Sequence, residues 1–331
     1  MPTSPHPVNS EPIDTFSLTC LYFDMPYHKI CIFRTGALGD VILTLPVIHN
    51  LRNACPKAHI HLIGNPSLLS LAKADHIHIH DINRSIWAPL FAPKGKLPSD
   101  LQDLFQNTDL AISYLPDPDH IFTQNLQRLG VSKMITCPPK SNAQIHAIDH
   151  LLTPLRELNI PTPELQPRIS LTEEEFQNAS THPTNSRTLL IHPGSGGKNK
   201  CWPPKHFASL ADRLIRETNC SVTISSGPAD EGLAQHLNTL MAKKTTLLPQ
   251  LSIRHFAAFM TNCAAFLGND SGPSHLAASL EIPTIALFGP TDSHTWGPRG
   301  PSVQIIQSPN QNMNGLSTER VYSQLHAHLS R

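Results

Sequence analysis

The sequence predicts an α/β protein: two Rossmann-like parallel-sheet domains facing each other across a cleft. Three observations carry this. Short apolar runs of strand length alternate with segments whose apolar residues recur at helical spacing. The alternation stops at residues 159–187, where Pro161, Pro163, Pro167 and Pro183 accompany the run Glu173, Glu174, Glu175, and then it starts again. At 331 residues the chain is long for one such unit and comfortable for two.

In the first half, residues 29–35 form a buried strand, apolar at Ile30, Cys31, Ile32 and Phe33. Residues 36–40 make a turn, and Val41, Leu45 and Ile48 at i, i+4 and i+7 open a helix with Asp40 at its N-cap. Pro46 kinks or restarts that helix. Strand 59–64, helix 67–74, strand 76–81 and a Pro-rich loop through 94–98 follow, then strand 109–114, helix 119–129, strand 131–136 and helix 143–158. Strands that alternate with helices pair in parallel, with helices on both faces of the sheet. The expected divisions are a disordered extension at 1–27, a first domain at 28–160, a linker with one short element at 161–187, a second domain at 188–310 and a C-terminal segment at 311–331.

The second half opens with strand 188–192 and a loop at 193–203, PGSGGKNKCWP. Helix 204–217 follows, with Phe207, Leu210, Ala211 and Leu214 on one face. Next come strand 221–225, helices 228–242 and 252–263, and strand 264–267. Asn269, Asp270, Ser271 and Gly272 then supply turn and cap chemistry, and Pro273 stands where a missing N–H costs nothing. Leu276, Ala277 and Leu280 give the next helix its apolar face before strands 284–288 and 303–306. A last helix at 318–329 is left free to pack back on the first domain.

Lys plus Arg number 25 and Asp plus Glu number 25, so the chain carries no formal net charge with histidine neutral. A nucleic-acid binder would show a basic stripe, and an anionic membrane surface would need basic clusters; no nucleic acid and at most peripheral membrane contact are expected. No apolar run reaches membrane-spanning length, and residues 1–14 carry four prolines without a signal pattern. The seven cysteines are scattered, with no Cys-x-x-Cys, which fits a reduced cytoplasmic protein. His76, His78 and His80 share one strand face, and His59 and His61 another. With twenty histidines in the chain and no carboxylate or cysteine at a recognised spacing, the expectation is no metal.

Three stretches carry chemistry. The turn after residue 267 feeds a helix N-terminus through Asp270, Ser271 and Gly272, where free N–H groups and the helix dipole favour an anion. In the loop, Gly194, Ser195, Gly196 and Gly197 let backbone approach a ligand, with Lys198 and Lys200 beside them. No Gly-Lys-Ser/Thr opens a helix there, which disfavours a Walker-type triphosphatase. Both stretches follow strands at the carboxyl edge of the second sheet and together can hold a diphosphate. Asp40, at the same edge of the first sheet, is either a simple cap or a ligand-facing carboxylate.

The runs 34–46 (RTGALGDVILTLP), 193–203 (PGSGGKNKCWP) and 268–278 (GNDSGPSHLAA), with LFGPT at 287–291 and WGP at 296–298, resemble the ADP-heptose:lipopolysaccharide heptosyltransferase family, glycosyltransferase family 9. The likeness extends from about residue 29 to 306, with the motifs in order. It implies the GT-B fold and an inverting, metal-independent transfer from an ADP-sugar donor to a glycolipid or glycan acceptor, such as lipopolysaccharide core. It implies no cofactor, and a place in the cytoplasm, up to the inner face of the membrane. Under it, Asp40 becomes the general base on the acceptor hydroxyl and Lys200 the cation facing the departing diphosphate. Ser195, Gly196, Ser271 and Gly272 cradle phosphates beside Asp270. His275 either reaches the donor or packs its helix. Arg34 and Gly39 stand on the acceptor side. Glu231, after the strand at 221–225, is the candidate for the ribose.

Three rivals remain at this stage: the same chemistry on another sugar or acceptor, such as a protein or another polysaccharide; a non-catalytic sugar-nucleotide-binding protein; and a dinucleotide oxidoreductase. Asp40 and Lys200 together speak against the second. The missing three-glycine turn speaks against the third.

Overall fold

Ile30 and Ile32 belong to one apolar core and Cys31 and Phe33 to another, and all four are buried. A strand covered on both faces belongs inside a parallel sheet. The computed structural model describes residues 26–140, 144–179, 187–227, 230–243 and 245–329. The first sheet comprises β1 (Lys29–Arg34), β2 (His59–Gly64), β3 (Ile77–Asp81), β4 (Leu110–Ser113) and β5 (Lys133–Thr136), in the order β3-β2-β1-β4-β5. The second comprises β6 (Thr188–His192), β7 (Ser221–Ile224), β8 (Thr246–Leu247), β9 (Ala265–Asn269), β10 (Thr284–Phe288) and β11 (Val303–Gln307), in the order β11-β10-β9-β6-β7-β8. Every pairing is parallel.

Both sheets reverse direction next to their first strand, between β1 and β4 and between β6 and β9. Connections leave to opposite sides there, and the crevice opens at the carboxyl ends of the strands. The Gly36–Asp40 turn follows β1, the Gly-rich loop follows β6, and the Asp270–Gly272 turn follows β9. The strand order thus brings all three motifs to such crevices.

Several local expectations are corrected. Helix Leu38–Ala54 runs through Pro46 unbroken, and the Asn50 amide donates to the Pro46 carbonyl at 2.7 Å. Its N-cap is Ala37, so Asp40 lies in the first turn, and its carboxylate reaches back to the Ala37 N–H at 2.9 Å. The Pro-rich loop at 94–98 is present, but two elements not expected flank it, a 3-10 helix, Ser85–Phe91, and a helix, Ser99–Phe105. The helix expected at 143–158 is two pieces, Ala147–Leu151 and Thr153–Glu157, with Pro154 opening the second. The terminal helix Thr318–Leu329 packs on the second domain: Val321, Leu325 and Leu329 join Leu189, Phe207 and Leu287 in one core. Its apolar positions recur at spacing four, and that stripe finds its partner in the nearer sheet. The extension at 1–27 lies outside the described residues except for Pro26 and Tyr27, and Tyr27 packs against the first core.

The two domains share apolar packing. One core contains Val41, Leu45 and Ile48 from the first domain together with Leu190, Phe266, Leu276 and Ala277 from the second. Around it, Arg254 pairs with Glu175 of the linker helix and donates to the Ser70 carbonyl of the first domain at 2.9 Å. Arg299 pairs with Asp149 at 2.5 Å, and the His146 ring nitrogen donates to the Gly297 carbonyl at 2.9 Å.

Candidate active site

On the first-domain side, Gly36 has φ +121°, a conformation glycine tolerates and other residues rarely adopt. A β-carbon there would also stand 2.5 Å from the Asp40 carboxylate. The turn therefore folds tightly over Asp40. Arg34, at the end of β1 and 3% exposed, donates through Nη2 to Asp40 Oδ1 at 3.1 Å and through Nε to the Asp40 carbonyl at 3.2 Å. Its guanidinium lies over the Tyr114 ring, 5.7 Å from the centroid. Burial lowers its pKa while the Asp40 charge works against that shift. Arginine keeps its proton in such a site, so a buried cation holds one oxygen of Asp40. The Ala37 N–H holds the other, and the carboxylate is about a third exposed, at 36%. Arg34 thus reaches Asp40 itself, within the wall of the cleft.

On the second-domain side, the loop and the turn are stitched together through Asn269, which is fully buried. Its carboxamide accepts from the Trp202 N–H at 3.0 Å and donates to the Pro193 carbonyl at 2.8 Å. Ser195 Oγ donates to the Asp270 carbonyl at 2.6 Å, and Lys200 Nζ donates to Asp270 Oδ2 at 2.7 Å. Trp202, fully buried, fixes the far end of the loop through Nε1 to the Leu316 carbonyl. Ser271 is the N-cap of helix Gly272–Ser279 and its side chain makes no cap bond. Its Oγ is buried with no hydrogen-bond partner among the described residues. An orphaned buried hydroxyl beside free helix N–H groups suits an anion's oxygens.

The walls meet at helix N-termini. A β-carbon on Gly272 would lie 2.6 Å from Leu38 Cβ, and one on Gly39 would lie 3.4 Å from His275 Cδ2. His275 is 6% exposed, and burial pushes its pKa down to about 4. Asp270 and Asp40 act against that shift, while His146 and Lys200 add to it. The ring is therefore neutral near pH 7, within electrostatic reach of charged groups from both domains.

Of the residues singled out from the sequence, the structure gathers Arg34, Gly39 and Asp40 on one wall and Ser195, Lys200, Asp270, Ser271, Gly272 and His275 on the other. Gly196 is exposed, with open space around it. Glu231 is exposed at the start of helix Glu231–Leu240 and accepts from Gln235 on its own helix at 3.4 Å. The carboxylate that meets the loop is its neighbour Asp230, which presses on Gly194 and lies 3.6 Å from His192 Nε2. In the sequence Asn269 reads as one more turn residue, and nothing local marks it as the joint between loop and turn. An Asp-x-Asp also stands in the chain at 117–119; the Asp117 carboxylate caps helix Ile121–Arg128, accepting from the Phe122 and Thr123 N–H groups at 3.1 and 2.9 Å.

The model of a family described as glycosyltransferase family 9 (heptosyltransferase) matches residues 123–326. Lipopolysaccharide heptosyltransferase 1 of Salmonella typhimurium is 30% identical over 320 residues, covering 90% of this chain and 100% of that protein. Lipopolysaccharide heptosyltransferase 1 of Pseudomonas aeruginosa is 25% identical over 296 residues, covering 83% of this chain and 82% of the relative. Among solved structures, the E. coli ADP-heptose lps heptosyltransferase II has a TM-score of 0.74 at 20% identity, covering 91% of this chain and 98% of that one. The E. coli heptosyltransferase WaaC with ADP has a TM-score of 0.70 at 18% identity, covering 91% and 99%. These structural likenesses establish the two-domain GT-B type fold.

Proposed function

We infer the reaction from one premise: the chain belongs to glycosyltransferase family 9 (heptosyltransferase). It is a glycosyltransferase. We propose that it transfers a heptose from an ADP-heptose donor to lipopolysaccharide core, at the inner face of the cytoplasmic membrane. The names of its relatives support donor and acceptor. No helix among the described residues is long and apolar enough to cross a membrane.

The observation that carries the mechanism is the placement of Asp40 and Lys200 on opposite walls, both acting on the buried His275 ring. Asp40 takes the proton of the acceptor hydroxyl as its oxygen attacks the anomeric carbon. The bond from that carbon to the diphosphate oxygen breaks, its electron pair leaves with the nucleoside diphosphate, and attack from the far side inverts the centre. Arg34 and the Ala37 N–H hold the base in place. Lys200, Ser271 and the helix N–H groups face the developing phosphate charge. A diphosphate leaves without a proton, so one carboxylate suffices, in contrast to the pair in a glycosidase. The ammonium and amides supply the positive field, and the reading requires no divalent ion at this site.

The test has two parts. Calorimetry with ADP, UDP, GDP and NAD is expected to show binding of ADP, and binding of NAD without ADP would overturn the donor class. Transfer from ADP-heptose to a core acceptor is expected to persist in a strong chelator; no transfer to any core acceptor would sink the acceptor assignment.

A further inference from the structure

The register of the first sheet places histidines beside one another in a way the chain order does not reveal. His61 on β2 is the direct neighbour of His78 on β3, and β3 is the edge strand. Residues two apart on a strand share a face, so His59, His61, His78 and His80 form a ladder on one side of the sheet. His59 Nδ1 lies 3.0 Å from His78 Nε2, and His61 Nδ1 lies 2.9 Å from His80 Nε2. The rings stack at 5.3 Å for His59 on His78, 4.7 Å for His61 on His78 and 5.2 Å for His61 on His80. His76, at the entrance to β3, sets its ring 5.0 Å from His59. This face is separate from the site described above.

We propose that the exposed pair His59 and His78 is a surface site for a divalent late first-row transition metal such as Zn2+, Cu2+ or Ni2+, which clamps the edge strand β3 to β2. Imidazole is the ligand these ions share. Bonds of about 2.0–2.1 Å to a tetrahedral ion put two ligand nitrogens roughly 3.3 Å apart. The 3.0 Å separation of His59 Nδ1 and His78 Nε2 is within a few tenths of an ångström of that spacing, and the two rings must also turn so that both nitrogens face the ion. In the hydrogen-bonded pair one nitrogen carries the shared proton. On metal binding that ring moves its proton to its other nitrogen, both lone pairs turn to the ion, and no net proton is released. His59 and His78 are exposed, which leaves room for water in the remaining positions.

The inner pair His61–His80 is half-buried and acts as the floor that sets the spacing. Neutral imidazole is the form that ligates metal. Among the described residues no three His, Cys, Asp or Glu side chains converge on one point, so this is a two-ligand site of modest affinity. The Lys29 ammonium nearby also works against a cation.

The test uses the full chain without any affinity tag. Zn2+ titration calorimetry is expected to show one ion per chain, with at least a tenfold loss of affinity in the variant His59→Gln/His78→Gln and no change in His294→Gln. The electron paramagnetic resonance spectrum of the Cu2+-loaded natural chain is expected to show hyperfine coupling to two imidazole nitrogens. That readout does not depend on any variant folding. Thermal unfolding without metal and glycosyl transfer serve as controls, both expected to be unchanged in the double variant. Undiminished Zn2+ affinity in the double variant, or coupling to a single nitrogen, would overturn the assignment.

Discussion

Lys200 Nζ sits 2.7 Å from Asp270 Oδ2, joining the loop after β6 to the turn after β9. The pair holds the cation at the helix N-terminus where diphosphate charge is proposed to develop. Removing the ammonium leaves Asp270 facing that charge alone. Lys200→Ala is expected to lower kcat by about 10²–10³, the range for losing one preorganised electrostatic group. Steady-state kinetics with ADP-heptose check this; unchanged kcat would remove Lys200 from the mechanism.

Asp40 and Arg34 should separate kinetically. Asp40→Asn keeps the shape and removes the base, so a loss of about 10²–10⁴ in kcat is expected, with ADP affinity retained. Arg34→Gln removes the buried cation that holds one oxygen of Asp40. It is expected to lower kcat less than Asp40→Asn and to leave ADP affinity intact, because Arg34 positions the base and stands on the other wall from the donor.

Asn269 joins loop and turn through buried bonds to Trp202 and Pro193. Asn269→Ala strands both partners, each costing about 1–3 kcal/mol when left unsatisfied. The expected outcome is a lower Tm together with weaker ADP binding by calorimetry. Loss of stability with undiminished ADP affinity would show that the loop is positioned by other contacts.

Gly272 and Leu38 govern how closely the two domains approach. The β-carbon of Gly272→Ala would meet Leu38 Cβ, which is backbone-anchored and cannot swing away. Overpacking of this kind costs typically about 1–3 kcal/mol. The variant is expected to fold, to lose stability in that range by denaturant unfolding, and to lose turnover, because the Asp40 wall is pushed from the Lys200 wall.

Stability should also fall with acid in a predictable window. His275 is neutral in the folded chain, with its pKa pushed down to about 4 by burial. An unfolded histidine titrates near 6.5. Below that pH the unfolded chain takes up a proton that the folded chain refuses, so this contribution is complete above pH 6.5 and shrinks as pH falls toward 4. The loss is roughly 3 kcal/mol across the window. His275→Gln is expected to flatten that part of the curve in denaturant melts at a series of pH values; an unchanged slope would place the acid sensitivity elsewhere.

Much of this was legible in the chain. The strands of both sheets except β8 could be read from short runs with apolar residues; the central ones, β1, β6, β9 and β10, are buried almost throughout and are the most continuously apolar. β8 is only Thr246–Leu247, and both residues are exposed, so it leaves no such signature. Asp40, Lys200 and the Asp270–Gly272 turn could be found from Gly, Asp and Lys at strand ends. The difference between Glu231 and Asp230 could not. Which of two adjacent carboxylates turns toward Gly194 depends on where the helix begins, and a shift of one residue rotates a side chain by about 100°.

By itself the sequence determined which segments become strands and helices and which ones hold groups able to bind an anion or move a proton, since local periodicity and side-chain chemistry are properties of neighbours along the chain. Only the tertiary structure decided that Lys200 is paired to Asp270 and that Gly39 lies against His275 from the other domain. Those contacts depend on sheet order, register and the approach of two helix ends, and these are set by packing between residues far apart in the chain.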